Sequence, residues 1–237
     1  PMVARTQRQL AEAMLALGNH GTAERLLDRA INTFNQLQPI DDVQLALTMC
    51  SLGYVYMGAG RLANAERMLQ STLELQQRRL NPNDPQLIQT LNGLGCLNAA
   101  RKNFDVARTH HQRALELSEV AFGKDHPELA KTLIWLGEVA LARNDLEEAR
   151  AVLNRALTIR ERSLGREQPL VAEVLTRCGQ LALAEGRPAR ALSLGARATA
   201  IYNSTSECPP LAMADVLAVA AESSRRLQRL SQAESLT

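Results

Sequence analysis

The sequence repeats itself with a period of forty-two residues, and this period constrains the fold more than any other feature. When the segment 126–167 is shifted by one period in either direction, it falls on a recognisable copy of itself. One position of each copy carries a small residue, and a second position always carries alanine. The small residues are Ala11, Gly53, Gly95, Gly137, Gly179 and Ala221, and the alanines are Ala23, Ala65, Ala107, Ala149, Ala191 and Ala233. Such a period predicts a repeat architecture in which each unit stacks on its neighbours.

Each copy contains two stretches in which apolar residues recur at steps of three and four, the period of an amphipathic helix. In the best copy these stretches cover 129–141 and 146–159, and the polar residues 143–145 separate them. Asp145 and Glu148 have the spacing of a capping box, which predicts the start of the second helix. The other copies have Gly18-Asn19, Gly58 and Gly60, Lys102-Asn103, and Gly186 with Pro188 at this phase. The pattern predicts two antiparallel helices per unit.

The helix pairs define units over residues 1–41, 42–83, 84–125, 126–167 and 168–209, and a partial unit over 210–237 that ends inside its second helix. Aromatic residues make up only 3% of the chain, which favours helices packed through small and aliphatic side chains over strands. We therefore predict an all-α solenoid of antiparallel helix pairs, with 1–237 as a single array.

Small residues mark the places where helices cross closely, because a helix approaches its neighbour only where the side chain is nearly absent. Gly137 and Ala149 are therefore predicted at helix crossings. His111 and Gly195 stand where other second helices have Leu69 and Leu153. We expect looser packing at these two positions.

Positive and negative charges are nearly balanced, with 27 basic and 25 acidic residues and a formal net charge of +2. A chain of this kind has no strong field for nucleic acid or for an anionic membrane. It also lacks an apolar run long enough to form a transmembrane helix. The cysteines, Cys50, Cys96, Cys178 and Cys208, are too widely spaced for a zinc or disulfide framework, and scattered thiols of this kind are typical of the cytoplasm.

No group of residues has the composition of a catalytic or metal-binding site. His110 and His111 are adjacent, and the residues one helical turn away from them are apolar, so nothing there orients an imidazole or completes a metal site. The chain contains neither a glycine-rich phosphate loop nor a nucleophile elbow. We predict no enzymatic activity, no cofactor and no metal.

The repeat resembles the tetratricopeptide repeat, which has a Leu-Gly pair in its first helix and a fixed alanine in its second. The resemblance is carried by Leu133, Leu136-Gly137, Ala149, Leu153 and Ala156, and by the matching Leu52-Gly53 with Ala65 and Leu94-Gly95 with Ala107. The long period and the opening HPELAKTL at 126–133 are similar to the subclass found in kinesin light chains and many bacterial repeat proteins. The resemblance implies a right-handed superhelix whose first helices line a concave groove that takes up peptides or partner helices.

If the first helices line such a groove, one stripe of side chains on each helix faces the partner. The stripe consists of Arg5, Arg8, Glu12, Leu47, Cys50, Tyr54, Met57, Gln89, Asn92, Cys96, Lys131, Ile134, Glu138, Glu173, Thr176 and Gln180, with Trp135 and Arg177 on its flank. We predict partner contacts at Arg8, Leu47, Tyr54, Met57, Asn92, Cys96, Ile134, Trp135, Glu138, Arg177 and Gln180.

Three of these residues have an alternative interpretation. Tyr54 offers a partner both apolar area and a hydroxyl, or else it packs between adjacent first helices. Trp135 lies either in the groove or beneath the neighbouring unit. Asn92 resembles the asparagines that hold a peptide backbone in kinesin light chain-type repeats, where an amide both donates and accepts, or else it is a solvated side chain.

The sequence as a whole predicts a cytoplasmic protein-interaction module or scaffold that binds a protein or peptide. Two alternatives stay open. The first is a self-assembling array, because Leu211, Met213, Val216, Leu217 and Val219 of the C-terminal helix have no complete second helix to cover them. The second is a regulatory or sensor segment of a larger multidomain protein.

Overall fold

A computed structural model describes residues 2–37, 41–205 and 210–234. Cys208 and Pro209 lie outside the described residues, as do the last three residues of the chain. All regular elements in the described part are α-helices, and they form two compact units, Pro1–Ala121 and Phe122–Thr237. The predicted all-α class built from antiparallel helix pairs is confirmed. The single uninterrupted array stays a prediction.

Unit 1, Pro1–Ala121, contains three helix pairs. The helices are α1 (Met2–Ala16), α2 (His20–Asn35), α3 (Asp42–Gly58), α4 (Leu62–Arg79), α5 (Leu87–Ala100) and α6 (Phe104–Phe122). Each pair packs on the next through its second helix, and α3 also contacts the first helices α1 and α5 on either side. The first helices of unit 1 therefore lie side by side.

Unit 2, Phe122–Thr237, contains two helix pairs and a final long helix. The helices are α7 (Leu129–Ala142), α8 (Leu146–Leu164), α9 (Pro169–Ala184), α10 (Pro188–Ser204) and α11 (Pro210–Glu234). The first helix α9 contacts both α7 and α11, in the same arrangement as α3 in unit 1. The predicted cap of α8 is confirmed, because the Asp145 side chain accepts a hydrogen bond from the Glu148 backbone N–H at 3.1 Å.

Glycines in the first helices lie directly against leucines of the second helices. A Cβ built on Gly137 would lie 2.5 Å from Cδ2 of Leu153, and one built on Gly53 would lie 2.8 Å from Cδ2 of Leu69. Both leucines and Ala149 are fully buried. The predicted helix crossing at Gly137 is therefore confirmed.

The two irregular second helices are packed in ways that the repeat did not predict. The His111 imidazole is buried and fills the space beneath Gly95, where a Cβ would lie 2.5 Å from its Cε1. Opposite Gly195, α11 supplies Val219, whose Cγ1 would lie 2.8 Å from a Cβ on Gly179 and 3.9 Å from one on Gly195. The expected looser packing is therefore wrong at His111, and at Gly195 a neighbouring helix fills the space.

One residue in the turn of each helix pair has a left-handed backbone. The φ angles are 74° at Gly18, 74° at Gly60, 63° at Lys102, 59° at Asn144 and 73° at Gly186. Successive members are one period apart, so the same position reverses the chain in every pair.

The partial unit departs from this rule, and the predicted second helix is not formed. The next left-handed position would be Gln228, yet α11 continues through it to Glu234 as one helix. Glutamine has a Cβ, so the left-handed region is as unfavourable for it as it is for Lys102, whereas it costs little in a helix. Without a residue that reverses the chain, the helix simply continues.

Replacement of Lys102 by glycine is expected to raise the free energy of unfolding by about 1 kcal/mol, because a residue with a Cβ is disfavoured in the left-handed region. The Lys102 side chain is exposed, so little packing is lost. Urea unfolding followed by circular dichroism measures the change. The control is Lys102→Ala, which keeps a Cβ and is therefore not expected to raise the free energy of unfolding. A glycine variant no more stable than wild type would contradict the expectation.

Three arginines of the second helices, each one period from the next, hold the loop that leads into their own helix pair. Each donates a hydrogen bond to a backbone carbonyl that no helix satisfies. The pairs are Arg113 with Pro82 at 3.1 Å, Arg155 with Lys124, and Arg197 with Arg166 at 3.0 Å. Their spacing was visible in the sequence, and only the structure shows what they bind.

Candidate functional site

One repeat position of the predicted stripe is buried in every complete first helix from α3 to α9. Its residues are Cys50, Asn92, Ile134 and Thr176, which are 0%, 5%, 3% and 4% exposed. The position packs on a neighbouring helix, as Cys50 does in a core cluster with Leu94 and Leu97. Asn92 and Ile134 were predicted as partner contacts, and this burial corrects that prediction, since neither presents an accessible side chain.

The positions three residues before and four residues after the buried one remain partly accessible. In unit 1 they are Leu47, Gln89, Tyr54 and Cys96, and in unit 2 they are Lys131, Glu173, Glu138 and Gln180. We call these the accessible first-helix positions. They include five of the predicted contacts, and Met57, one turn beyond Tyr54, is also half-buried. Asp215 and Glu222 occupy the same repeat positions on α11, although Ala218 between them is exposed.

Tyr54 lies between two first helices of unit 1. Its hydroxyl donates a hydrogen bond to the Gln89 carbonyl oxygen of α5 at 3.2 Å, and its Cε2 would lie 3.5 Å from a Cβ on Gly93. Burial raises the pKa of the Tyr54 hydroxyl well above its ordinary value. The alternative interpretation, packing between first helices, therefore describes its position, although the side chain is only half-buried.

Arg8 is occupied by contacts within unit 1. Its guanidinium lies 2.7 Å from the Glu12 carboxylate, which also accepts a hydrogen bond from the Ser51 hydroxyl at 2.9 Å. Only 18% of the Arg8 side chain is exposed. Its charge is therefore already compensated before any partner arrives.

Asn92 is engaged in the interior of unit 1 by His111. The His111 Nδ1 lies 3.0 Å from Asn92 Oδ1. Burial, with a smaller contribution from neighbouring His110, lowers the pKa of His111 to about 4, so the imidazole is neutral at pH 7. In the tautomer that satisfies this contact, Nδ1–H donates to the asparagine oxygen.

Two of the described cysteines, Cys50 and Cys178, are poor nucleophiles. Burial raises the pKa of the Cys50 thiol to about 12 and raises that of Cys178 to about 11. The thiolate is the reactive form of cysteine, so both remain inert thiols at neutral pH. Cys96 is half-buried and forms no disulfide. The described residues also contain no cluster of three or more side chains suited to a metal ion.

Trp135 of unit 2 is half-buried, and the Lys131 ammonium lies 5.0 Å from the centroid of its ring. This is the geometry of a cation–π contact. Lys131 itself is exposed. The indole is therefore partly covered within unit 2, as packing beneath a neighbouring helix pair would require. It also lies beside an exposed charge, as a position in the groove would require.

Arg177 brings together two predicted contacts and one acid that the prediction missed. Its Nε lies 2.7 Å from Glu138, and its guanidinium lies 3.4 Å from Asp215 and donates to the Gln180 side-chain oxygen at 3.4 Å. Burial raises the pKa of the Glu138 carboxyl, Arg177 opposes the shift, and Glu173 and Asp215 add to it. Unit 2 therefore holds an excess of carboxylates around one guanidinium.

Glu173 and Asp215 occupy the same repeat position on α9 and α11, and a cavity of about 380 Å³ lies between these helices. Apolar walls are contributed by Leu170, Leu211 and the nearly buried Tyr202. Glu173 was predicted on the stripe but not as a partner contact, and Asp215 was not predicted at all. The sequence signal that could have indicated this site was an acid at the same repeat position in two successive repeats.

Helix α11 is less exposed than the sequence predicted. Val216 and Val219 are 0% and 3% exposed because they pack on the α9/α10 pair, which corrects their assignment to an uncovered face. Leu211 and Leu217 remain exposed, as does Leu230. No helix in the described part of the chain is both long enough and apolar enough to cross a bilayer.

Stacked antiparallel helix pairs with glycine crossings and accessible first-helix positions define a helical repeat protein. The profile of the tetratricopeptide repeat matches residues 44–119, 96–162 and 128–204, and a second profile of the same repeat matches 4–29. The chain belongs to the tetratricopeptide repeat family, whose members generally serve as protein-interaction scaffolds. No protein of curated function matches the chain.

Several solved structures share the fold at low sequence identity. BtubC (BKLC) from P. vanneervenii has a TM-score of 0.70 and 22% identity, over 84% of this chain and 81% of its own. A putative kinesin light chain from Podospora anserina has a TM-score of 0.65 and 19% identity, over 83% and 93%. A STAND protein with a tetratricopeptide repeat sensor, PH0952 from Pyrococcus horikoshii, has a TM-score of 0.70 and 16% identity, over 93% and 32%. The predicted resemblance to kinesin light chain-like repeats is confirmed at the level of the fold.

Proposed function

We propose that the chain is a protein-interaction module that holds a peptide or partner helix against the accessible first-helix positions. One observation carries the proposal. On each first helix from α3 to α9, side chains on both sides of a buried position remain partly accessible and repeat with the period of the helix pairs. Within each unit, a row of such positions suits an extended or helical segment, which contacts the first helices of that unit in turn.

The chemistry of these positions differs between the two units. In unit 1 they are largely apolar, with half-buried Leu47, Tyr54 and Met57, which offer area to apolar side chains of a partner. In unit 2 they are largely charged, with Lys131 and Glu138 among them. Asn92 and Ile134 support the surface from beneath and do not touch the partner.

Tyr54→Ala is expected to weaken partner binding at least about tenfold, because a central aromatic anchor commonly contributes more than 1 kcal/mol. A partner is first captured from lysate of the source cells and identified, and its binding is then titrated by calorimetry. Tyr54→Phe keeps the ring and tests the hydroxyl, which already bonds to Gln89.

The matched control is Val120→Ala, which removes an exposed side chain from the second helix α6. It should bind within about twofold of wild type, since exposed substitutions outside an interface are nearly neutral. If wild type, Tyr54→Ala and a variant substituted at Leu47 all bound the partner with equal affinity, the accessible first-helix positions of unit 1 would be ruled out as the binding surface.

A second candidate function is self-association through α11. It is favoured by the exposure of Leu211, Leu217 and Leu230, which are 77%, 53% and 51% exposed. Exposed apolar side chains on one helix are a means of association between copies. A molar mass that rises with concentration in light scattering would support this candidate, and a constant monomer mass would count against it.

A regulatory or sensor role within a larger protein is the remaining alternative. The similar STAND protein is described as carrying a tetratricopeptide repeat sensor, and the match covers 32% of that chain. A cytoplasmic location is part of the proposal, supported by Cys50, Cys96 and Cys178, which form no disulfide.

A further inference from the structure

We propose that the cavity between α9 and α11 receives a lysine or arginine side chain of the protein partner. The inference rests on the proposed function and specifies the chemistry of the partner at one place. The occupant is a basic residue within a peptide segment, held by Glu173 and Asp215.

The charges around the cavity are unbalanced in favour of a cation. Glu138 and Asp215 contact Arg177 at 2.7 Å and 3.4 Å, so the guanidinium already has two acidic partners. Glu173 also lines the cavity and has no ion-pair partner within the described residues. Two carboxylates therefore share a single guanidinium while a third, that of Glu173, has no ion pair in the described part of the chain, and an incoming cation would reduce this excess of negative charge.

Glu173 lies on a partly buried wall, and its carboxylate therefore attracts an opposite charge more strongly than a solvated surface acid does. A carboxylate beside apolar groups is less screened than one in open water, so its attraction for an opposite charge is stronger. The pKa of the Glu138 carboxyl reflects the same negative charge, since Glu173 and Asp215 both raise it beyond the effect of burial.

The size and the walls of the cavity match the aliphatic part of a basic side chain. A space of about 380 Å³ accepts one long side chain together with some solvent. Leu170 and Leu211 at its rim are 44% and 77% exposed, and Tyr202 lies at its wall. Lysine and arginine pack their methylene stems on such apolar surface while the charged head reaches the carboxylates.

An acidic partner fits this place poorly. Arg177 is the only basic residue that lines the cavity in the described part of the chain, and its guanidinium is held by Glu138, Gln180 and Asp215. A carboxylate would have to displace one of these contacts and then face Glu173. A neutral apolar side chain would leave the excess of negative charge uncompensated.

A phage-displayed library of random dodecapeptides, selected against the whole chain, tests the inference. Enrichment of lysine or arginine at one peptide position is expected. A selected peptide, labelled with fluorescein and measured by anisotropy, should lose at least tenfold in affinity when that residue is replaced by norleucine. Glu173→Gln should cause a loss of similar size, and it breaks no ion pair that would be needed for folding.

The matched control is the double substitution Glu147→Gln and Glu167→Gln, which removes acids from exposed sites of unit 2 outside the cavity. It should leave the affinity within twofold of wild type. Selected peptides without a basic residue, or unchanged affinity for Glu173→Gln, would overturn this inference alone. If the selection yielded no peptide whose binding depends on the accessible first-helix positions, the proposed function would be overturned together with this inference.

Discussion

Replacement of Gly137 by alanine is expected to lower the free energy of unfolding by about 1–3 kcal/mol, although alanine is the better helix former. A Cβ at this position would lie 2.5 Å from Cδ2 and 2.6 Å from Cγ of Leu153, which is fully buried, so the leucine or the helix must shift to accept it. The first helix pair carries Ala11 at this place, in one core cluster with Leu27, so such a pair can adapt to a methyl group. The loss of stability should therefore not exceed about 3 kcal/mol.

Gly195→Ala is the matched control, because it makes the same change inside a helix of the same unit. A Cβ there would meet Ala220 at 3.8 Å, an ordinary contact, so a gain of up to about 1 kcal/mol is expected from helix propensity. Fluorescence of Trp135 reports unfolding of unit 2 in denaturant. If both substitutions shifted stability in the same direction, close packing at Gly137 would not be the cause.

The stability of unit 1 is expected to fall as the pH is lowered from about 6.5 to about 4, by up to about 3 kcal/mol through His111 alone. The pKa of this imidazole is about 4 in the folded chain and has the ordinary value near 6.5 in the unfolded chain. Between these values the unfolded chain binds more protons than the folded chain. The stabilising contribution is therefore complete above the unfolded pKa and is lost as the pH falls towards the folded one.

His111→Leu is expected to remove this part of the pH dependence, since Leu69 and Leu153 fill the same position in other pairs. The variant loses the contact with Asn92, so it need not be more stable than wild type at pH 7. Urea denaturation followed by circular dichroism at several pH values measures the difference in slope. Identical slopes for wild type and His111→Leu would show that the imidazole is not buried in its neutral form.

Much of the fold could be predicted because its determinants are local in sequence. The helical period gives the pairs, Asp145 gives the start of α8, and Gly137 gives a crossing. The departures at His111 and in α11 could not be predicted in the same way. Whether a histidine can replace a buried leucine depends on a partner nineteen residues away, Asn92, and on the space beneath Gly95.

The candidate site was harder to predict than the fold. Helical periodicity shows which side chains share one face, but it does not show how much of that face the next helix covers. For this reason the stripe included both Leu47 and Cys50, of which only Leu47 remains accessible. The cavity beside Glu173 also needs α11, whose residues Leu211 and Asp215 reach its wall only when α11 packs beside α9.

The sequence by itself determined the period, the helix pairs, the small residues at their crossings and the family. Each of these follows from residues close together in the chain or repeated at a fixed interval. Tertiary structure decided which first-helix positions stay accessible, that Arg177 is shared between Glu138 and Asp215, and that α11 encloses a cavity with α9. These features depend on side chains from successive helix pairs, whose distance and angle are set only when the helices pack.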